Sequence, residues 1–500
     1  MTKILLLDVE LDKSSQANQL EKNWAHYPIG ILYLAAYIKK YLDVDDVEIK
    51  IFHTAIYQNA FDELNRLLLT FQPDIIGIRA LSKYKVEFNE YAKLLNEKCP
   101  EALLIAGGPY PSTNYDEIIK DNMVDIVCIG EGEATFLETV KEYICSRKIP
   151  IDIKGTAVKT GDVTTVNSSR ELIANIDTIP FPDYDMININ EYRGFSNHAF
   201  QDTSKCAYIL CSRGCPFGCF YCHQLFGKKI RRRSPENIVD ELVQKYYKYN
   251  IKEFVIIDDV FNIPLDECKR VLRLIINELP NDIRINFPNG LRADAIDNEL
   301  IFLFKKCGLT SIALAVESAS EKIQKLIGKK LDVEKAFDNI DNLSRQFITT
   351  VFYMIGFPSE TEEDAEKTIE FALKLKFVSQ PVLSVLRVYQ NTPLCRLLAP
   401  TTEQLEFIRK QETLDLQTKI NRPLCFYGDV FSDSVVPLNS NIINKLRMKW
   451  MKKVLLDSER LKNSQLILEM FLSKEEIETF YKDLFDNQNF DMDTIKKRIR

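Results

Sequence analysis

The stretch that decides the fold reads Ala207-Tyr-Ile-Leu-Cys211-Ser-Arg-Gly-Cys215-Pro-Phe-Gly-Cys219-Phe-Tyr-Cys222. It opens on an apolar run of strand character, Ala207–Cys211, and closes on three cysteines spaced C-x3-C-x2-C. A strand that delivers chemistry at its carboxyl end is how β/α barrels build their active faces. Cysteine thiolates ligate iron–sulfur clusters, and a four-iron cube usually takes four of them. Cys215, Cys219 and Cys222 supply three, which leaves one iron open for a substrate, as catalytic metals require. Gly214 and Gly218 let the backbone wrap closely around such a group. A zinc site completed by His223 or Cys211, or a set of inert thiols, is the plainer alternative. Cys211 is read as the last residue of the strand, turned into the interior, and not as a ligand.

Downstream, strand and helix patterns alternate. Glu253–Asp258, Arg284–Phe287, Ser311–Val316, Thr350–Ile355 and Leu383–Val388 are strand candidates, with helices such as Glu236–Tyr249 and Glu362–Leu375 between them. Six parallel strands with crossover helices predict a partial (β/α)6 barrel over 205–400. Upstream, Lys3–Asp8, Val47–His53, Asp74–Arg79, Ala102–Ala106 and Asp125–Ile129 are further strands, again separated by helices. They predict an N-terminal doubly wound, Rossmann-like domain over 1–150. Residues 151–204 read as a linker with a few short strands, marked by Ile179-Pro-Phe-Pro-Asp183. Residues 401–500 read as a mostly helical extension, clearest at Asn439–Leu456. The whole is an α/β protein.

The composition limits the function. Five hundred residues, 46% hydrophobic and 27% charged, hold enough apolar mass for sizeable cores and exclude a disordered chain. A net charge of −7 argues against a general nucleic-acid binder. Met1–Val9 reads as a strand and not as a signal peptide, and no apolar run approaches the roughly 18 residues a membrane span needs. A cytoplasmic protein is expected, whose twelve cysteines serve metal or chemistry and not disulfides.

The three-cysteine segment, with aromatic Tyr221 before its last cysteine, resembles the signature of radical S-adenosylmethionine (SAM) enzymes. The resemblance runs over Cys206–Pro400 and implies a 4Fe-4S cluster whose open iron is chelated by SAM. It further implies a SAM site drawn from the strand ends. Asp258-Asp259 stands where the family more often has Gly-Gly-Glu for the SAM ammonium, which leaves open which aspartate acts; helix capping is the alternative. Arg292 suits a carboxylate. Glu317 and Ser318 resemble a ribose- and carboxylate-binding motif, although Glu317 also suits a salt bridge, for instance with Arg292. Gly356 resembles the adenine-side motif, and Thr361 reads as the start of the next helix. The basic run Lys228-Lys229-Ile-Arg231-Arg232-Arg233 reads either as a solvated loop or as a clamp for an anion.

Four N-terminal segments resemble the cobalamin-binding domain fused ahead of one radical SAM subgroup. They are Tyr27–Ala36, Pro73–Gly77, Ala106–Ser112 and Val124–Glu133. Gly107, Gly108, Gly130, Glu131 and Gly132 are the implied cobalamin contacts, since a flat corrin needs strand-end loops free of side chains. The Asp-x-His-x-x-Gly motif that ligates cobalt in many cobalamin proteins is absent. The histidines are His26, His53, His198 and His223, and His53 reads as a loop or core residue.

The resemblance implies a class B, cobalamin-dependent radical SAM methyltransferase that methylates an unactivated carbon. Its substrate would be a small molecule of natural-product type, and its electrons would come from an external flavodoxin or ferredoxin. A non-methylating cyclisation, oxidation or rearrangement on the same architecture is the first rival, and a non-catalytic cobalamin or SAM sensor the second.

Overall fold

The computed structural model describes residues 1–11, 26–44, 46–121, 123–161, 163–192, 206–223, 225–417 and 435–486. His198 and the far end of the expected linker lie outside the described residues. The chain divides into two compact units: Met1–Asn197 with His223–Gly227 and Thr401–Arg422, and His198–Cys222 with Lys228–Pro400 and Pro423–Arg500.

The first unit is built on β1 (Thr2–Val9), β2 (Val47–His53), β3 (Ile75–Ala80), β4 (Leu103–Gly107), β5 (Ile126–Cys128), β6 (Thr156–Thr160) and β7 (Val163–Val166). They form one seven-stranded sheet in the order β2-β1-β3-β4-β5-β6-β7. The first five strands are parallel, and β6 and β7 add an antiparallel hairpin to the edge. Runs such as Ile4-Leu-Leu-Leu7 are apolar on both sides because helices cover both faces. Ala60–Phe71 and Lys85–Lys98 pack on one face, and Ile29–Tyr41 and Gly132–Ser146 on the other. Gly77 is a packing glycine: a Cβ there would lie 2.9 Å from Leu6 and 3.1 Å from Phe136. Strand order reverses between β1 and β3, and in such sheets the ligand crevice opens beyond the strand ends at that point.

The second unit holds β8 (Cys206–Ile209), the two-residue ribbon β9 (Ser212–Arg213) and β10 (Arg231–Arg232), then β11 (Glu253–Ile256), β12 (Arg284–Leu291), β13 (Leu309–Glu317), β14 (Ile348–Ile355) and β15 (Gln380–Val385). Six of these pair in chain order, β8-β11-β12-β13-β14-β15, and all run parallel. Central β13 is buried at every residue. The crossover helices start on side-chain caps from Ser234, Asp297, Ser320 and Asp332. Thr361 and Asp364 form the capping box of Glu362–Lys374, as the sequence predicts. Helices Ser440–Trp450 and Ser458–Leu468 belong to this unit. Trp450 meets Tyr353 edge-on at 5.1 Å. Buried Arg460 donates to the carbonyls of Val378, Ser379, Val454 and Leu455, tying the helices to the start of β15.

Candidate functional site

The cysteine loop begins where β8 ends, and its neighbours hold it from several sides. Asp258, just beyond β11, accepts the Cys211 N–H at 2.6 Å and the Ser212 hydroxyl. Burial pushes the Asp258 carboxyl up to about 6, and the hydrogen bonds and nearby Arg232 partly offset this. Gly214 takes φ +94°, a left-handed turn that glycine permits. Gly328 presses on the Gly218 carbonyl, leaving only 3.0 Å for a Cβ. Phe220 donates to the Ile327 carbonyl at 3.2 Å and accepts from the Leu394 N–H at 2.9 Å. Cys211 is fully buried below this loop.

The three thiols share one electrostatic neighbourhood. Desolvation, then Cys219, Asp259, Cys215 and Glu317, push the Cys222 thiol up to about 12. Desolvation also raises Cys215 and Cys219. A set of acids that resist ionisation together is what a cationic cluster would discharge. Among the described residues no three His, Cys, Asp or Glu side chains are placed to hold a metal ion. A cube is less demanding, because each of its cysteines binds a different iron. The described cysteines are all free thiols. The donor set therefore suits a cluster.

Glu317 closes the site at the end of β13. It stands in the left-handed region at φ +66°, beside a register shift between β13 and β14. A non-glycine residue held there stores strain, as residues at functional sites often do. Its carboxylate accepts from Lys329 at 3.0 Å, so the salt bridge falls to Lys329 and not to Arg292. Burial, then the neighbouring Glu317 and Cys219, raise the Tyr221 hydroxyl well above its ordinary value. Its ring lies 5.8 Å from that of Phe357, the residue after Gly356.

The remaining barrel residues divide by what already holds them. Arg292 is bonded in a fork to Asp294 at 2.7 and 3.0 Å and to the Lys329 and Lys330 carbonyls, and it lies 4.1 Å over the Phe217 ring. Ser318 is buried, 3.3 Å from the Thr368 hydroxyl, and accepts the Ser320 N–H. Asp259 is exposed and has no hydrogen-bond partner among the described residues. Gly356 takes φ +95°, and a Cβ there would make only ordinary contact with Ile443, so backbone conformation is what calls for glycine. Its N–H and that of Phe357 are held by Glu360, a fully buried acid that burial pushes up to about 8. The basic run splits. Arg233 pairs with buried Glu241, and Arg232 donates to the Phe261 and Ile263 carbonyls. Lys228 and Lys229 are exposed.

In the first unit the glycines play different parts. Gly130 takes φ +86°, and neither it nor Gly132 has any atom within 4 Å of an added Cβ. They present bare backbone, the cradle a flat cofactor needs. Gly108, at φ +88°, makes room instead for Arg79, whose side chain would lie 2.6 Å from a Cβ. Gly107 closes β4 beside Cys128. Glu131 is buried and accepts the Ile173 N–H at 2.9 Å. Ser112 joins the two loops: it accepts the Gly130 N–H at 3.1 Å and donates to the Cys128 carbonyl.

Sequence reading missed a buried polar group at the ends of β1, β2 and β3. Arg79 donates to both oxygens of Asp8, at 2.7 and 3.0 Å. His53 bonds Tyr192 at 3.0 Å and stands 3.7 Å from Glu10, which also faces His26 at 3.4 Å. Burial alone would raise the Glu10 carboxyl, but the two histidines hold it well below its ordinary value. Tyr27 stacks on Tyr192 at 4.6 Å. His53 is thus buried and tied to Tyr192 through Nδ1, while its Nε2 has no hydrogen-bond partner among the described residues.

A parallel barrel with three thiols at its mouth, in one chain with a doubly wound sheet, defines a class. The Radical SAM superfamily model matches residues 209–372, and the B12 binding domain model matches residues 24–140. The chain is a radical SAM enzyme with a B12-binding domain, and its family's cofactors are a 4Fe-4S cluster, SAM and cobalamin. It is 29% identical over 352 residues to an uncharacterized methyltransferase of Pyrococcus horikoshii, covering 70% of this chain and 73% of that one. It is 25% identical over 442 residues to the anaerobic magnesium-protoporphyrin IX monomethyl ester cyclase of Cereibacter sphaeroides, covering 86% and 67%. In fold it matches the radical SAM methyltransferase TsrM of Kitasatospora setae, solved with cobalamin and a [4Fe-4S] cluster. That match has a TM-score of 0.66 and 16% identity over 80% of this chain and 78% of the other. No helix among the described residues is long and apolar enough to cross a membrane.

Proposed function

We propose that this enzyme cleaves SAM to a 5′-deoxyadenosyl radical at Cys215, Cys219 and Cys222 and transfers a methyl group, with cobalamin, to an unactivated carbon of a small molecule in the cytoplasm. The observation that carries this is the donor set: three thiols on one stapled loop, with Cys211, the next cysteine upstream in the chain, fully buried. Bound at these sites, the cluster would supply the electron that opens the sulfonium, and cobalamin a one-carbon carrier. Asp259 is the acid left available for the SAM ammonium, while Asp258 holds the loop. Glu317, neutralised by Lys329, offers acceptor oxygens to hydroxyls, and Tyr221 and Gly356 flank it on the SAM side. Arg292 and Ser318 support the loops that carry these groups. In the first unit Gly107, Gly108, Gly130, Glu131 and Gly132 shape the cobalamin cradle.

The cyclase relative, which covers more of this chain than the methyltransferase relative, favours one second reading: a radical reaction without methyl transfer. Anaerobic purification with cobalamin supplied, then reduction with SAM and a metabolite extract, separates the two. S-adenosylhomocysteine and a product heavier by one methyl group support methylation. 5′-Deoxyadenosine without S-adenosylhomocysteine supports the second reading. Neither nucleoside product from a chain with a full cluster would sink both.

A further inference from the structure

We infer that Arg292 is a positioning residue for the cluster: stacked on Phe217, it holds the cysteine loop in its ligating shape and so sets how long the loop retains a cluster. The inference rests on the cluster assignment above and deepens it. A loop already shaped for its cluster loses little freedom on binding it, and releases it slowly. Phe217 stands midway between Cys215 and Cys219, so fixing its ring fixes the turn that spaces two of the three thiols. Pro216 and Gly218 on either side of it are exposed, and Phe217 itself is half-buried.

The sequence suggests Arg292 for a carboxylate, but all three nitrogens of its guanidinium are already engaged. Nε and Nη2 donate to Asp294 at 2.7 and 3.0 Å, Nη1 to the Lys329 carbonyl at 2.7 Å, and Nη2 also to the Lys330 carbonyl at 2.7 Å. What the guanidinium still offers is its flat face, and that face lies 4.1 Å over the Phe217 ring. A planar, weakly hydrated cation gains by stacking on an aromatic ring. The backbone of Arg292 is held as firmly as its side chain. Fully buried Asn262 accepts the Arg292 N–H at 3.1 Å and donates to the carbonyls of Arg292 and Ala295 at 2.9 and 2.8 Å. Asp294 in turn accepts the Asp332 N–H at 2.9 Å, which fastens the far end of the segment after Gly328. One side chain thus ties the barrel frame to the middle of the loop. Burial raises the Cys219 thiol, and the charges of Lys329 and Arg292 oppose it. The ion pair with Asp294 neutralises much of the Arg292 charge, so the stack on Phe217 is its main hold on the loop.

The test uses the full chain with its cluster reconstituted anaerobically, and follows loss of the cluster's visible absorption to an iron chelator. R292K keeps the charge but not the planar fork that stacks. F217L keeps an apolar side chain without an aromatic face, and F217W keeps the face. R292K and F217L are each expected to shorten the lifetime of the cluster about fivefold, and F217W to stay within about twofold of the wild type. The double variant R292K/F217L should lose its cluster no faster than either single one, because both remove the same contact. SAM affinity, read from the change SAM causes in the electron paramagnetic resonance of the reduced cluster, should be the same in all forms. A wild-type lifetime in either single variant would overturn the inference. So would additive effects, which mark separate structural losses, and so would weakened SAM binding at an unchanged lifetime, which would return Arg292 to the SAM carboxylate. Should R292K not fold, F217L and F217W decide alone, and equal lifetimes of those two would overturn it. A wild-type chain that takes up no cluster overturns the assignment beneath it, and this inference with it.

Discussion

The barrel mouth and the strand ends of the first sheet each suit a cofactor, and they are made of different materials. At the barrel mouth most candidate contacts are side chains, and neighbours hold the loop and Glu317 while Asp259 stays free: Asp258 holds the start of the loop, Lys329 the carboxylate of Glu317, Gly328 the Gly218 carbonyl. At the ends of β4 and β5 the candidate surface is backbone, bare at Gly130 and Gly132 and tied together by Ser112. A cluster is bound by donor atoms at fixed positions, which only side chains supply. A large flat cofactor is bound by shape, which side chains obstruct. The two regions should therefore fail in different ways when changed.

The largest expected difference comes from Cys219→Ala. Loss of one cluster ligand should leave no 5′-deoxyadenosine above background, while the first unit stays folded and keeps its cobalamin. Wild-type levels of 5′-deoxyadenosine would refute the ligand assignment. Loss of cobalamin as well would erase the contrast between the regions.

Next in size is a pH effect confined to the barrel. Glu360 sits with its carboxyl raised from 4.5 to about 8, mainly by burial, with Asp364 adding to the shift and Lys322 opposing it. The unfolded chain loses this proton near 4.5 and the folded chain near 8. Between those values the folded state binds more protons, so stability falls as pH rises through the window. The loss is at most several kcal/mol. Glu360→Gln keeps an acceptor for the Gly356 and Phe357 N–H groups and removes the titration. Its unfolding midpoint should then depend less on pH across this window than that of the wild type. Identical slopes would show that Glu360 does not carry the effect.

What the sequence discloses follows the same division. The central strands are legible because both-face burial demands apolar runs, as at β1 and β13, whereas the edge strands β2 and β15 are only partly buried and carry Glu48, Lys50 and Ser384 within them. The cysteine loop is legible because ligand chemistry is written in residue type and spacing. The group Glu10, His53 and Tyr192 is not, since β1, β2 and a turn at Ile189–Tyr192 bring it together from distant positions. Nor is the choice of Lys329 over Arg292 as partner of Glu317, which depends on where the segment after Glu321–Ile327 returns. The hairpin β6–β7 leaves a signal in Thr- and Val-rich runs on either side of Gly161-Asp162, a turn dipeptide pair that marks hairpins.

Glycine substitutions sharpen the comparison within the first unit. Gly130→Val should weaken cobalamin binding about tenfold, or roughly 1.4 kcal/mol, because it fills the cradle and strains a left-handed backbone. Iron content should not change. Gly77→Ala is the counterpart: it should destabilise the unit by about 1–3 kcal/mol through overpacking against Leu6 and Phe136. Cobalamin affinity of the folded protein should stay the same. Equal effects of the two on cobalamin titrations would mean that the cradle has no special place.

The smallest expected effect tests whether the buried polar group at the ends of β1 and β2 belongs to the fold or to the cofactor. Tyr192→Phe removes a hydroxyl 3.0 Å from His53 Nδ1 and leaves the ring stacked on Tyr27. A lost buried hydrogen bond costs about 1 kcal/mol. If His53 is a core residue, the variant should lose that much stability, and its cobalamin absorption spectrum should match the wild type. A histidine bound to cobalt would respond differently, because its other ring nitrogen sets its basicity as a ligand. The cobalamin bands would then shift on losing the Tyr192 hydroxyl, with little change in stability of the cobalamin-free protein. His53 Nε2 stands 3.7 Å from Glu10, beyond hydrogen-bond reach, so the spectrum and the stability measured together decide which part the ring plays.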